Sequence, residues 1–267
     1  MRQRFLRDVA TFLVASLCGA CNSNPIEWSE PTPLPQNLAA ATDLAFDARQ
    51  DLVARAPDRA PVPVVTGQCT GSVRAARDTT GDWYAVWWSV RSDSTGDIVM
   101  SRSSDGVHWT HAVTFDSTAE GRGGCQLPAP SLYADGANIY VAYAMAAREG
   151  PGIFASHSMD RGMTFHSPVV VVYGAHIGGT AIAAQGDAVA VAYEDPNSDP
   201  QRVAVAFTRT MGHLFETHEI VSPPTGAARD PRIAVGKSRI AVMWAPGVAG
   251  TATDASAPRM MRIGSFR

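Results

Sequence analysis

Ser158-Met159-Asp160-Arg161-Gly162-Met163-Thr164-Phe165 is the stretch on which the reading of this chain turns. It stands between the alternating run Ile153-Phe154-Ala155-Ser156-His157 and the apolar Pro168-Val169-Val170-Val171-Val172, both of which read as strands. Two strands joined this way predict a β-hairpin with a specified corner. Asp160 is placed to accept hydrogen bonds from the N–H groups of its own turn. Gly162 tolerates a positive φ, and Phe165 can tuck its ring under the hairpin.

The corner recurs. Ser103-Ser104-Asp105-Gly106-Val107-His108-Trp109 is one residue shorter, and Thr208-Arg209-Thr210-Met211-Gly212-His213-Leu214-Phe215 keeps the glycine and the aromatic while Thr210 replaces the aspartate. Three copies at similar intervals predict a repeat protein. Ser103, Asp105, Gly106 and Trp109, with Ser158, Asp160, Gly162 and Phe165, resemble the bacterial neuraminidase repeat, or Asp-box, of sialidase-like β-propellers. The resemblance covers most of the chain from Trp83 onward. It implies a fold more than an activity, because the Asp-box is a turn that stabilises its blade.

The strands around the corners have the matching period. Trp83-Tyr84-Ala85-Val86-Trp87, Ile139-Tyr140-Val141-Ala142-Tyr143, Val189-Ala190-Val191-Ala192-Tyr193 and Ile240-Ala241-Val242-Met243-Trp244 end on aromatics 56, 50 and 51 positions apart. Shorter strands precede them, at Ser72 to Ala76, Pro130 to Ala134, Thr180 to Ala184 and Pro231 to Val235, through tight turns such as Asp135-Gly136 and Gly186-Asp187. Each unit is thus a four-stranded antiparallel blade. The unbroken apolar character of the inner strands suits sheets buried on both faces.

The expected fold is all-β, a β-propeller of five blades with six as the alternative. Residues 36–66 supply a weak first blade, or else a helix or linker. Trp28-Ser29-Glu30-Pro31 reads as an outer strand that closes the last blade against Arg259 to Arg267, which would hide two sheet edges; a proline-rich tether over 22–35 is the other reading.

A chain of 267 residues, 45% hydrophobic and with 23 glycines and 18 prolines, is long enough for one all-β domain and disfavours a helical bundle. Its formal charge of −3 becomes about −5 without the N-terminal Arg2, Arg4, Arg7 and Asp8, which argues against nucleic acid as a partner. Those arginines, the apolar Val9 to Ala20, and Cys21 read as an export signal over residues 1–20, too short to be a comfortable membrane span. Leu17-Cys18-Gly19-Ala20-Cys21 resembles a bacterial lipobox, which implies lipidation of Cys21 and anchoring at the outer membrane or cell surface; plain secretion or a periplasmic location is the alternative. Residues 22–267 are then one domain. In an exported chain the remaining Cys69 and Cys125 predict one disulfide, with two free thiols as the alternative.

In sialidase-like proteins the rim opposite the Asp-boxes holds the ligand. The resemblance implies three arginines for a substrate carboxylate, an early Arg-Ile-Pro, an acid/base and a Tyr-Glu pair; this chain has no Arg-Ile-Pro. Loop candidates for an anion are Arg91, Arg122, Arg148, Arg229 and Arg232, and candidate carboxylates are Glu194, Asp195 and Asp230. The seven histidines are scattered without a ligand-spaced pair; His157, His166, His213 and His218 fall on or beside the corners, where a structural role is favoured over zinc, and no metal or cofactor is expected. Three functions follow: a non-catalytic module binding a glycan or a protein, a sialidase-related glycoside hydrolase with a rearranged site, or a structural scaffold.

Overall fold

The computed structural model describes residues 24–55, 69–91, 95–117, 124–247 and 258–267. The export signal, Cys21 and Arg122 lie outside the described residues. Short strands β1 (Ile26–Trp28) and β2 (Thr32–Pro33) come first, then the hairpin β3 (Asp43–Phe46) and β4 (Leu52–Arg55). Next come three four-stranded antiparallel sheets, each in chain order. They are β5 (Arg74–Arg77), β6 (Trp83–Val90), β7 (Gly96–Ser103) and β8 (Val113–Asp116); β9 (Ser131–Asp135), β10 (Asn138–Ala147), β11 (Gly150–Ser158) and β12 (Val169–Tyr173); and β13 (Thr180–Gln185), β14 (Ala188–Glu194), β15 (Val203–Thr208) and β16 (Thr217–Ile220).

The last sheet, β17 (Ala227–Val235), β18 (Arg239–Gly247) and β19 (Met260–Phe266), is completed by the start of the chain. Ile26 lies opposite Phe266, Trp28 opposite Gly264, and Thr32 opposite Met261. Within the N-terminal segment Ile26–Trp28 and Thr32–Pro33 are therefore strand rather than tether. Its reason is burial: Ile26 is in the core, and the Trp28 indole N–H donates to Glu219 at 2.9 Å. Residues 43–55 form a hairpin with Asp43 opposite Arg55, preceded by a single 3-10 turn at Gln36–Leu38, so the helix or linker alternative does not hold for them. Among the described residues no helix is long and apolar enough to cross a membrane.

The core is divided among the gaps between successive sheets. Tyr84, Val86 and Trp88 of β6 pack with Val141, Tyr143 and Met145 of β10. Tyr140 and Ala142, on the other face of β10, pack with Val189 and Val191 of β14. Ala190 and Ala192 meet Val242 and Trp244 of β18, and Ala241 and Met243 meet Leu38 and Leu44. Strands β6, β10, β14 and β18, each second in its sheet, are thus apolar on both faces, which explains their continuous rather than alternating pattern. The first strands β3, β5, β9, β13 and β17 all line one cavity.

The three aspartate-type corners share their turns. Gly106 N–H donates to Ser103 Oγ and Gly162 N–H to Ser158 Oγ, both at 2.8 Å. Asp105 Oδ1 accepts from the N–H groups of Val107 and His108 at 2.8 Å, and Asp160 Oδ1 from Thr164 N–H at 2.9 Å. In the third corner Thr210 Oγ1 accepts from Leu214 N–H at 3.1 Å. The backbone is nonetheless kept: Arg161-Gly162 and Met211-Gly212 both take positive φ, at 59° and 76° and at 56° and 88°. Phe165 lies beneath its own corner, its ring 3.9 Å from where a Cβ on Gly162 would sit, and also stacks on Phe115 of the preceding sheet, with centroids 4.1 Å apart. The corners share a rim with the first-to-second-strand turns, since Arg161 N–H donates to Ala137 O at 2.9 Å and Met211 N–H to Asp187 O at 3.1 Å.

Candidate functional site

Strands that begin on a charged residue and continue apolar put that charge at the end of the sheet, and here the ends converge. Asp43 opens β3 and Arg74 opens β5; with Arg55, Tyr133, Asp230 and Arg232 they line the cavity of about 400 Å³. The first sheet contributes both members of a cross-strand pair, Asp43 and Arg55. Three guanidiniums and two carboxylates therefore face one space.

Asp230 is set by its backbone. The pairing of β17 with β18 slips between Arg229 and Arg232, and Asp230 sits in that bulge at a φ of 53°, unusual for a residue with a side chain. Such strained positions persist where surrounding contacts over-determine them. The contacts here are ionic. Arg232 Nη1 lies 2.6 Å from Asp230 Oδ1, Arg259 bonds Asp230 Oδ2, and Glu194 Oε1 accepts from Asp230 N–H at 2.8 Å. Arg232 Nε also donates to Thr42 O at 3.2 Å, tying the last sheet to the segment leading into the first.

The carboxyl groups are driven apart. Burial pushes Asp43 above the ordinary carboxylate range, although Leu44 N–H donates to it and Arg55 and Arg232 oppose the rise. Burial also works against ionisation of Asp230, but Arg232 and Arg259 outweigh it and hold that group low. Glu194 is pushed up by burial behind Gly178, where a Cβ would meet Glu194 Oε2 at 2.4 Å; the close approach explains the glycine. Arg74 is lowered by burial and then by the Arg232 cation. It donates to the carbonyls of Gly71 and Val73, and among the described residues no carboxylate lies within ion-pair distance of it.

The structure sorts the expected residues. Asp230 and Arg232 line the cavity; Glu194 supports Asp230 from behind, and Arg229 acts electrostatically on Glu194 while its buried Nε lacks a partner. Asp195 instead organises its own turn, accepting from Asn197 N–H and Ser198 Oγ. Arg91 pairs with Asp97 at 3.4 Å in its own hairpin, and Arg148 is exposed at the tip of another. Asp43, Arg55 and Arg74 were missed because an inner strand was read for its apolar residues; the signal was the charge at its first or paired position. Tyr143 and Tyr193 are core residues, with the Tyr143 hydroxyl donating to Asp116 at 2.6 Å. Cys69 and Cys125 form a disulfide, joining the segments that lead into β5 and β9.

No family model and no curated protein matches the sequence. Solved structures do resemble the fold. A Hadza microbial sialidase matches at 17% identity over 65% of this chain and 41% of its own, with a TM-score of 0.46. A leech intramolecular trans-sialidase, solved with 2,7-anhydro-Neu5Ac, matches at 15% over 66% and 28%, with a TM-score of 0.45. An α-L-arabinofuranosidase of Podospora anserina, solved with cellotriose, matches at 10% over 73% and 72%, with a TM-score of 0.43. This chain thus spans less than half the length of the two sialidases, and at this likeness no residue role transfers.

One expectation is corrected at the opposite rim. The histidines are not all dispersed: the ligand nitrogens of His157, His166 and His213 lie within 4.8 Å of one another. His157 is buried, and burial, then its two neighbours, push it down to about 4. Separations of 9 and 47 residues concealed this grouping, which arises because two corners from neighbouring sheets meet there.

Proposed function

We propose that this chain is a sialidase-like β-propeller of five blades, exported and lipid-anchored through Cys21, whose central cavity binds a carboxylate-bearing glycan without turning it over. The observation that carries the reading is the cluster of Arg55, Arg74 and Arg232 on the cavity wall. Asp230 is already engaged by Arg232 and Arg259, whereas among the described residues the Arg74 guanidinium donates to the carbonyls of Gly71 and Val73. A planar guanidinium beside a partly buried cavity suits a carboxylate because its N–H groups match two acceptor oxygens. Five first strands around one cavity and an N-terminal strand that completes the last sheet support the ring. Calorimetric titration with free N-acetylneuraminic acid and with 3′-sialyllactose, lactose serving as the uncharged control, tests this. Binding of the acidic sugars that weakens about tenfold or more in Arg74→Ala is expected; equal binding of lactose, or none of any sugar, would refute it.

A second reading, a sialidase-related hydrolase, is favoured by one feature: Asp43 is held high and Asp230 low across the same cavity, the division of labour glycosidases require of an acid and its ionised partner. Turnover of a fluorogenic sialoside or arabinofuranoside that disappears in Asp43→Asn would establish this reading in place of the first.

A further inference from the structure

We propose that His157, His166 and His213 form a binding site for one divalent transition-metal ion of the zinc, copper or nickel class, clipping together two neighbouring corners. The site lies on the corner rim, away from the polar cavity, and is independent of what that cavity binds.

The geometry begins with the hairpin. His157 is the last residue before Ser158, and its carbonyl accepts from His166 N–H at 2.9 Å, so the entrance and exit of the second corner are locked side by side. Their imidazoles stack 4.3 Å apart. His213 follows Gly212 in the third corner, the place Met163 holds in the second, and its ring meets both others edge-on at 4.4 and 5.0 Å. Gly212 sits against the His157 ring, where a Cβ would lie 3.8 Å from Nδ1. Two of the three ligands therefore come from one sheet and the third from the next.

Packing alone does not account for the cluster. His157 is 3% exposed, yet its buried Nε2 has no hydrogen-bond partner. Buried polar atoms ordinarily have one, and a metal ion would satisfy it. Three imidazoles are a donor set suited to zinc, copper and nickel. A tetrahedral ion with bonds of about 2.0–2.1 Å needs nitrogens roughly 3.3 Å apart. His166 and His213 are exposed and free to swing that small distance, whereas the buried His157 fixes the origin. Three protein ligands leave the fourth position open to water or to an outside donor.

The test uses the whole chain, stripped with a chelator and titrated calorimetrically with zinc alone. The expected result is one equivalent bound, with a rise in melting temperature of roughly 5–10 °C at saturation. Cobalt substitution should give visible absorption bands of a low-coordinate nitrogen site. His213→Gln and His166→Gln, both at exposed positions, should each weaken zinc binding about a hundredfold or more and erase the cobalt bands, while His108→Gln leaves both unchanged. Absence of stoichiometric binding of zinc, copper and nickel by the unaltered chain, or binding that survives His213→Gln undiminished, overturns the proposal.

Discussion

The two rims of this molecule handle carboxylates in opposite ways. At the corners, Asp105 is exposed and Asp160 half-buried, and both receive their hydrogen bonds from residues no more than four positions away. In the cavity, Asp43 and Asp230 are partly buried, and to a near neighbour on each, Leu44 N–H and Arg232 respectively, are added groups from elsewhere in the chain: Arg55 and Arg232 on Asp43, Arg259 on Asp230. A local device can be copied wherever its few residues recur. A long-range one exists only once the chain has folded.

The largest test of this contrast concerns the long-range ties. Replacing Cys69 and Cys125 by alanine opens a link of 56 residues beside β5 and β9 and should cost about 4 kcal/mol in the loop-entropy account. Urea unfolding under oxidising conditions measures it; a loss below about 1 kcal/mol would show that the cavity end is held by packing alone.

Gly162→Ala attacks the local device. Its φ is 76°, and the new Cβ would fall 1.9 Å from Met100 Cε, so strain and repacking together should cost about 2 kcal/mol. Because Met100 lies in β7 of the preceding sheet, the damage reports on sheet-to-sheet packing as well as on the turn.

The pH dependences should have opposite signs. Burial opposes ionisation of Asp160, but bonds from the Thr164 hydroxyl and N–H, Ser158 and Met163 together outweigh it and hold its carboxyl at about 2. A depressed carboxyl contributes stability that is complete above roughly pH 4, where the unfolded group is ionised, and that is lost as pH falls through about 2. Asp43 is raised, so its contribution is present at low pH and is lost as pH rises through its folded value. Between pH 2 and 6, Asp160→Ala should therefore flatten the acid loss of stability, and Asp43→Asn should remove a penalty that grows upward. Identical pH profiles for both variants would erase the distinction between the rims.

The smallest effect is a repair. Thr210→Asp gives the third corner the acceptor the other two have, on a backbone already in the same conformation, and should add about 0.5–1 kcal/mol by thermal unfolding. Destabilisation would mean that Thr208 and Thr210 form a hydroxyl pair suited to that corner alone.

How the sheets were legible follows from the same contrast. The runs ending at Tyr143, Tyr193 and Trp244 announced buried strands through their own composition, and the structure extends them by only a few residues. The Cys69–Cys125 link and the pairing of Trp28 with β19 were legible too, because few other partners were open to them. Arg91 and Asp195 looked like site residues and are turn partners, since a charge in a loop carries no record of where it points. His157, His166 and His213 were legible as corner residues, but not as neighbours, because the sequence does not say which corners meet.

By itself the sequence determined the corners, the strands and their antiparallel order, because each depends on interactions between residues close along the chain: a carboxylate with its own turn, a glycine with its own φ, an apolar strand with its hairpin neighbour. Only the tertiary structure decided that Asp43, Arg74 and Asp230 share a cavity and that three histidines share a rim. Those groupings depend on how successive sheets lie against one another, and packing between apolar faces sets that geometry without leaving any mark on the polar residues it brings together.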